Sequence, residues 1–158
     1  PMPLDAYEEI QSEDTAFLIL GGSANHRKQA KDYQLKNVKF LDTTSDISLI
    51  HKFLNTLDVY AHGRSDGEQC SSAIIEGLSH SLPMISHTAV SMGQLEQIGN
   101  AGVVVDGYED YAQAMKKMMN NKNFYVECKL NAEKRYKEIY DVSSIIKSFI
   151  DLYKEVVS

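Results

Sequence analysis

Cysteine, long apolar runs and clustered basic residues are scarce in this sequence, and each shortage excludes a class of protein. Two cysteines far apart, Cys70 and Cys128, make neither a disulfide framework nor a metal-ligand spacing, which points to a reducing, cytoplasmic setting. No stretch approaches the roughly 18 apolar residues of a membrane span, and no basic segment followed by an apolar one opens the chain, so a soluble protein is expected. With 16 Lys and Arg against 22 Asp and Glu, the formal net charge is −6. Phosphate-backbone binding needs Lys and Arg clustered on one face, so nucleic acid is not an expected partner and any nucleotide bound should be small. The five histidines, His26, His51, His62, His80 and His87, do not pair with Cys, Asp or Glu at a ligand spacing, and no metal is expected. Gly21-Gly22-Ser23 lacks the G-x-x-x-x-G-K pattern of a phosphate loop, and Ser65, Ser71 and Ser72 are not set in a G-x-S-x-G elbow.

What is present is ordinary globular material. At 158 residues the chain is long enough to bury one core without staples, and residues 1–158 read as a single domain. The run 17–20, "FLIL", predicts a strand buried on both faces and closed by the turn Gly21-Gly22. Residues 38–41 predict a second strand. Between 45 and 57, Ile47, Leu49, Ile50, Phe53, Leu54 and Leu57 fall on one side of a 3.6-residue period, with Ser45 placed to cap a helix. Strand and helix then alternate: a strand over 59–61, a helix over about 69–80, a strand over 84–86, a helix over about 92–98 and a strand over 103–105. Such alternation implies right-handed crossovers and an α/β fold, a Rossmann-like parallel sheet with helices on both faces. After Gly107 the strands stop, and three helical patterns form a helical C-terminal segment, the last running through Val142, Ile145, Ile146, Phe149, Leu152, Tyr153 and Val156. Exposed alone, that last helix could drive dimerisation.

One stretch carries chemistry. In "DVYAHGRSDGEQCSSAIIEGLSHSLP" a strand delivers a Gly/Arg/Ser/Asp/Gly loop, then Glu68, then a helix bearing Glu76. Ligands of open α/β sheets sit beyond the carboxyl ends of the strands, where a helix entrance aims free N–H groups at them. The amides of Gln69, Cys70, Ser71 and Ser72 therefore outline a diphosphate cradle. An ionised carboxylate accepts from two neighbouring hydroxyls, so two glutamates flanking a phosphate site suggest two sugars. On one continuous helix Glu68 and Glu76 would stand roughly 80° apart and line one groove. Taken bare, the pair reads most simply as solvated surface charge, and Cys70 most simply as a small buried hydrophobe. Paired glycines after a buried strand are commonly just a turn, with ligand contact following from proximity.

The frame around the two glutamates makes the reading specific. "LDVYAHGRSDGEQCSSAIIEGLSHSLPMIS" resembles the nucleotide-sugar-binding element, with its Glu-x7-Glu motif, of retaining glycosyltransferases of group 1, which are built from two Rossmann-like domains in the GT-B arrangement. "FLILGG", "NVKFLD" and "GQLEQIGNAGVVVDGYEDYAQAM" resemble further elements of the family's donor domain. The resemblance implies that Glu76 holds the ribose hydroxyls, Glu68 acts at the transferred sugar, and the amides of 69–72 hold the diphosphate. It further implies that Arg64 supplies a cation without a bound metal, that Gly21 and Gly22 lie at the ligand, and that the backbone after Leu41 faces the base. No cofactor is implied beyond the nucleoside-diphosphate sugar itself, and a glycan or lipid-linked acceptor would be bound by another domain. Glu96 matches a glutamate common in the family, and serves equally as an exposed charge at a helix start. Two departures stand out. Gln69-Cys70-Ser71 replaces a frequent Gly-Phe-Gly, and the family's first donor-domain strand, with its Gly-Arg and Lys, would lie before Leu4. A piece of a larger two-domain enzyme is expected, with a non-catalytic binding module of the same fold as the alternative.

Overall fold

The computed structural model describes residues 2–63, 69–87 and 93–157. Its strands are β1 (Phe17–Leu20), β2 (Val38–Leu41), β3 (Tyr60–Ala61), β4 (Met84–His87) and β5 (Gly102–Val105), and every pairing between them is parallel. The expected alternation is present, yet the strands form two sheets rather than one, a pair β1-β2 and a triplet ordered β3-β4-β5. In consequence β1, read as buried on both faces, is only half-buried along its whole length.

The helices are α1 (Met2–Glu8), α2 (Ala24–Asp32), α3 (Ile47–Leu54), α4 (Ser72–Ser79), α5 (Gly93–Ile98), α6 (Tyr108–Asn120), α7 (Lys122–Arg135) and α8 (Val142–Val157). Local chemistry fixes their ends. Gly21 and Gly22 take φ of 82° and 98°, a conformation cheap only for glycine, and turn the chain into α2. Ser23 then caps α2 reciprocally with His26: the Ser23 hydroxyl accepts from His26 N–H and His26 Nδ1 accepts from Ser23 N–H. For α3 the cap is Asp46 and not Ser45, because the Asp46 carboxylate reaches two orphan donors, Ser48 N–H at 2.8 Å and Leu49 N–H at 3.4 Å. Ile47 and Leu49 point outward, 68% and 48% exposed, so the inward stripe of α3 is Ile50, Phe53 and Leu54, followed by Leu57. α1 and α2 have no counterpart in the periodic pattern. α1 is anchored by Tyr7, whose hydroxyl meets the carbonyls of Thr15 at 3.2 Å and Lys36 at 3.0 Å.

Alternation along the triplet sorts side chains onto two faces. Ala61, Ile85, Val103 and Val105 pack against α1 and α6 through Ala6, Tyr111, Ala112 and Met115. Tyr60, Met84 and Val104 pack on the other side with Leu54, Ile74, Leu78 and Ala132. Helices therefore cover both faces. After α7 a π-helical turn over Tyr136–Tyr140 is closed by Asp141 N–H on Tyr136 C=O at 2.8 Å, and α8 leaves the body with no buried residue and its apolar stripe in the open. Among the described residues no helix is long and apolar enough to cross a membrane.

Two expectations test this packing. A Cβ on Gly102 would stand 1.9 Å from the Met84 carbonyl oxygen, so Gly102→Ala must push β5 away from β4. Overpacking of this kind costs up to about 3 kcal/mol, and the loss should appear as a lowered midpoint in urea unfolding. At the surface, a His80 ring nitrogen lies 2.7 Å from one of His51, and burial first, then His51, hold His80 below the ordinary imidazole range against the opposing pull of Glu76. With a lowered folded-state value, protons bind the unfolded chain first. The contribution of His80 is thus intact above about pH 6.5 and is lost as pH falls below it. The melting temperature should drop on acidification through that range, and drop less steeply in His80→Asn.

Candidate functional site

The carboxyl ends of β3 and β4 deliver the chain to one place. Beyond β3 stand His62 and Gly63, and β4 ends on His87. The entrance of α4 arrives beside them, held by side chains from elsewhere. Ser71 N–H donates to Gln97 Oε1 at 2.7 Å, and Gln97 Nε2 returns a bond to Ser71 C=O at 3.2 Å. Ser71 Oγ turns inward to 3.5 Å from His62 Nε2, while His62 Nδ1 meets Ser86 Oγ at 3.1 Å. Beneath them Tyr111, fully buried, divides its hydroxyl proton between the carbonyls of His62 at 3.1 Å and Ile85 at 2.8 Å, and burial pushes its phenol well above the ordinary range. The ends of β3, β4, α4 and α5 are thus bound into one buried polar network.

That network decides which amides of α4 are spoken for. The helix starts at Ser72, later than the expected 69, with Ser71 extended at φ −97°, ψ 117° as its cap residue. Ser71 N–H is committed to Gln97. Among the described residues no side chain caps α4, and the first-turn N–H groups of Ser72, Ala73 and Ile74 form the positive end of the helix. Gln69 and Cys70 are exposed, which corrects the reading of Cys70 as a buried hydrophobe; the thiol that is buried is Cys128, and burial raises its pKa. Gln69 lies against Gly93, where a Cβ would stand 2.3 Å from the Gln69 carbonyl oxygen. That close approach draws the start of α5 up to the start of α4. At its far end α5 is capped by Arg135, which donates to the carbonyls of Gln97 and Glu96.

Glu76 is exposed on α4 and lines a cavity of about 1040 Å³ together with His26 and Gly63. Because α4 begins four residues after Glu68, one continuous helix does not relate the two glutamates as expected. Glu68 and Arg64 lie outside the described residues. Gly21 and Gly22 turn at the end of β1, with Gly21 N–H bonded to Leu41 C=O at 2.9 Å, and Leu41 is 44% exposed at the end of β2. Glu96 is exposed on α5. Among the described residues no group of three His, Cys, Asp or Glu side chains is arranged to hold a metal ion, and the buried side-chain nitrogens without a partner are those of His87.

Sequence reasoning passed over His62, Ser86, Gln97 and Tyr111 as site-builders. Tyr111 was visible as a core position of α6, and His62 as one of five histidines and the first residue of the loop after β3. Nothing in the local pattern marks Gln97, since its partners are 26 residues away in sequence. Replacing Gln97 by Leu strands the buried Ser71 amide, at a cost of about 1–3 kcal/mol. Hydrogen exchange should then show the Ser71 amide losing protection while β4 and β5 keep theirs.

Comparison with known proteins agrees with this architecture. The model of the family described as glycosyl transferases group 1 matches residues 3–135. Among curated protein sequences none matches. Among solved structures, Alr3699/HepE of Anabaena in complex with UDP superposes with a TM-score of 0.82 at 17% identity, over 98% of this chain and 44% of that one. The same protein in complex with UDP-glucose gives 0.78 at 17% identity over 98% and 44%. Sucrose-phosphate synthase from Thermosynechococcus elongatus gives 0.78 at 16% identity over 99% and 42%. The chain spans less than half the length of these structures, and identities this low speak for the fold. The family model, covering most of the chain, speaks for descent: this chain belongs to the glycosyl transferases group 1 family.

Proposed function

We propose that the chain is the donor-binding part of a glycosyltransferase that takes its sugar from a nucleoside diphosphate and transfers it, with retention at the anomeric carbon, to a glycan or other acceptor held by a second domain. The observation that carries the reading is the entrance of α4, uncapped among the described residues, at the carboxyl ends of β3 and β4, with Glu76 one turn further along. Diphosphate oxygens would take the N–H groups of Ser72, Ala73 and Ile74, which stay available after Gln97 has claimed Ser71. The Glu76 carboxylate would accept from the ribose diol. Glu68 is assigned to the transferred sugar and Arg64 to the leaving diphosphate, as charge grows there when the anomeric bond breaks. Gly21, Gly22 and the backbone after Leu41 would border the base. The complexes of the Anabaena relative with UDP and with UDP-glucose support a nucleotide sugar as ligand. The two free cysteines fit a cytoplasmic setting.

A second reading is a module of the same fold that binds nucleotide sugar or a partner without performing the transfer. Thermal unfolding with a panel of UDP, GDP and ADP sugars separates binding from its absence. A donor at 100 times its dissociation constant should add about 2.7 kcal/mol, a rise of several degrees for a domain of this size. The rise should occur with one base and shrink in Glu76→Ala. No rise with any nucleotide would sink donor binding by this chain and leave the partner-binding form of the second reading. With an acceptor domain and acceptor supplied, Glu68→Ala should abolish turnover and leave the thermal shift in place; undiminished turnover would remove Glu68 from the chemistry.

A further inference from the structure

The carboxyl ends of α3 and α4 meet at a chain of three side chains. His51 lies in the last turn of α3, Asn55 is the C-cap of that helix, and His80 is the C-cap of α4. His51 Nδ1 stands 2.7 Å from His80 Nε2, and His80 Nδ1 stands 2.9 Å from Asn55 Oδ1. The ring centroids are 4.9 Å apart, the nitrogen separation plus the radii of the two rings, so the facing nitrogens meet head-on. Head-on approach is the geometry of one shared proton. Two lone pairs converging on a metal ion would set the rings at an angle.

The tautomers follow from the partners. Asn55 Oδ1 can only accept, so His80 Nδ1 carries a proton, and a neutral His80 offers Nε2 as acceptor. The proton between the rings therefore belongs to His51 Nδ1, which leaves His51 Nε2 as the basic nitrogen of the pair. A first proton taken from solvent goes there and breaks nothing. It places a cation beside the carboxyl ends of two helices, where a positive charge is favoured. A second proton must go to His80 Nε2, and it displaces the bond from His51. The pair thus titrates in two steps that belong to both rings.

Glu76 stands one turn before His80 on α4, the i, i+4 spacing at which a carboxylate and a cation pair on a helix. No ion pair joins them in this structure, because both ring nitrogens of His80 are turned to α3. Among the described residues, His51 of α3 and Glu76 of α4 itself are the charged or titratable groups that act on His80. β4, α5, α7 and the turn Tyr136–Tyr140 also pack on α4 and add none.

We propose that the chain of His51, His80 and Asn55 is a proton-operated clasp that governs whether Glu76 is free to take a ribose. At neutral pH the clasp holds His80 against α3 and leaves the Glu76 carboxylate to the diol. In acid the second proton opens the clasp, and the released His80 imidazolium pairs with Glu76 and withdraws the acceptor from the ribose. By linkage, a bound nucleotide makes that second proton harder to add. The regulation rests on the donor-site reading, since Glu76 meets a ribose only under it.

The test has two arms, both on the full chain. Long-range proton–nitrogen correlation spectra follow each ring nitrogen through an acid titration. They should show Nδ1–H on both rings at neutral pH, His51 Nε2 protonating first, and His80 Nε2 protonating only in a second, lower step. Independent titration of both rings in one step at about pH 6.5 overturns the clasp. In the second arm UDP-glucose, GDP-glucose and ADP-glucose are titrated calorimetrically at neutral pH and at about pH 5, where an ordinary carboxylate is still ionised. The one that binds should weaken by roughly three- to tenfold in acid. His80→Asn should match the parent at neutral pH and lose most of that acid effect. An equal acid loss in His80→Asn, or no loss in the parent, overturns the proposal and leaves the donor reading standing. No binding of any of the three at neutral pH overturns the donor reading and this regulation together.

Discussion

β4 is hydrogen-bonded along both edges and buried at all four of its residues, so the positions of β3 and β5, and of every helix packed over them, are referred to it. The pairing tolerates nothing between the strands: Gly102 meets the Met84 carbonyl with no room for a Cβ, and Gly77 of α4 meets the Met84 side chain from the other face. The same strand supplies Ile85 C=O to Tyr111 and Ser86 Oγ to His62. Core packing and site geometry are therefore one constraint. The amides at the head of α4 stand where they do because α4 sits on β4, and His62 leaves β3 level with β4 because Tyr111 holds the carbonyls of both His62 and Ile85.

From the sequence, the elements with strong periodicity were readable and the joints between them were not. β1, β2, β4 and β5 stand within a residue of where continuous apolar runs put them, and the three C-terminal helices follow their stripes. α2 escaped because a helix with one buried residue, Ala30, has no stripe to read; its only signal was the Ser23 cap. α1 escaped because seven residues are too few for a period to declare itself, although Leu4, Ala6 and Tyr7 are all buried. At the candidate site, the helix that carries Glu76 was legible from the order strand, loop, helix, although it starts three residues later than the sequence suggested. The claim of Gln97 on Ser71 was not, because nothing short of the fold brings those two together. The later start of α4 follows from that contact: with its amide and carbonyl both on Gln97, Ser71 is held extended and closes the helix off on its N-terminal side.

Charge and polarity are laid out with economy around α4 and α5. The start of α5 at Gly93 lies against Gln69, three residues before α4 begins, which brings the positive ends of the two helices near one another. Arg135 neutralises the opposite end of α5, while Lys117 stands in the last turn of α6 and Glu109 and Asp110 in its first. Under the proposed function, these helix ends are where a chain of net charge −6 would take an anion.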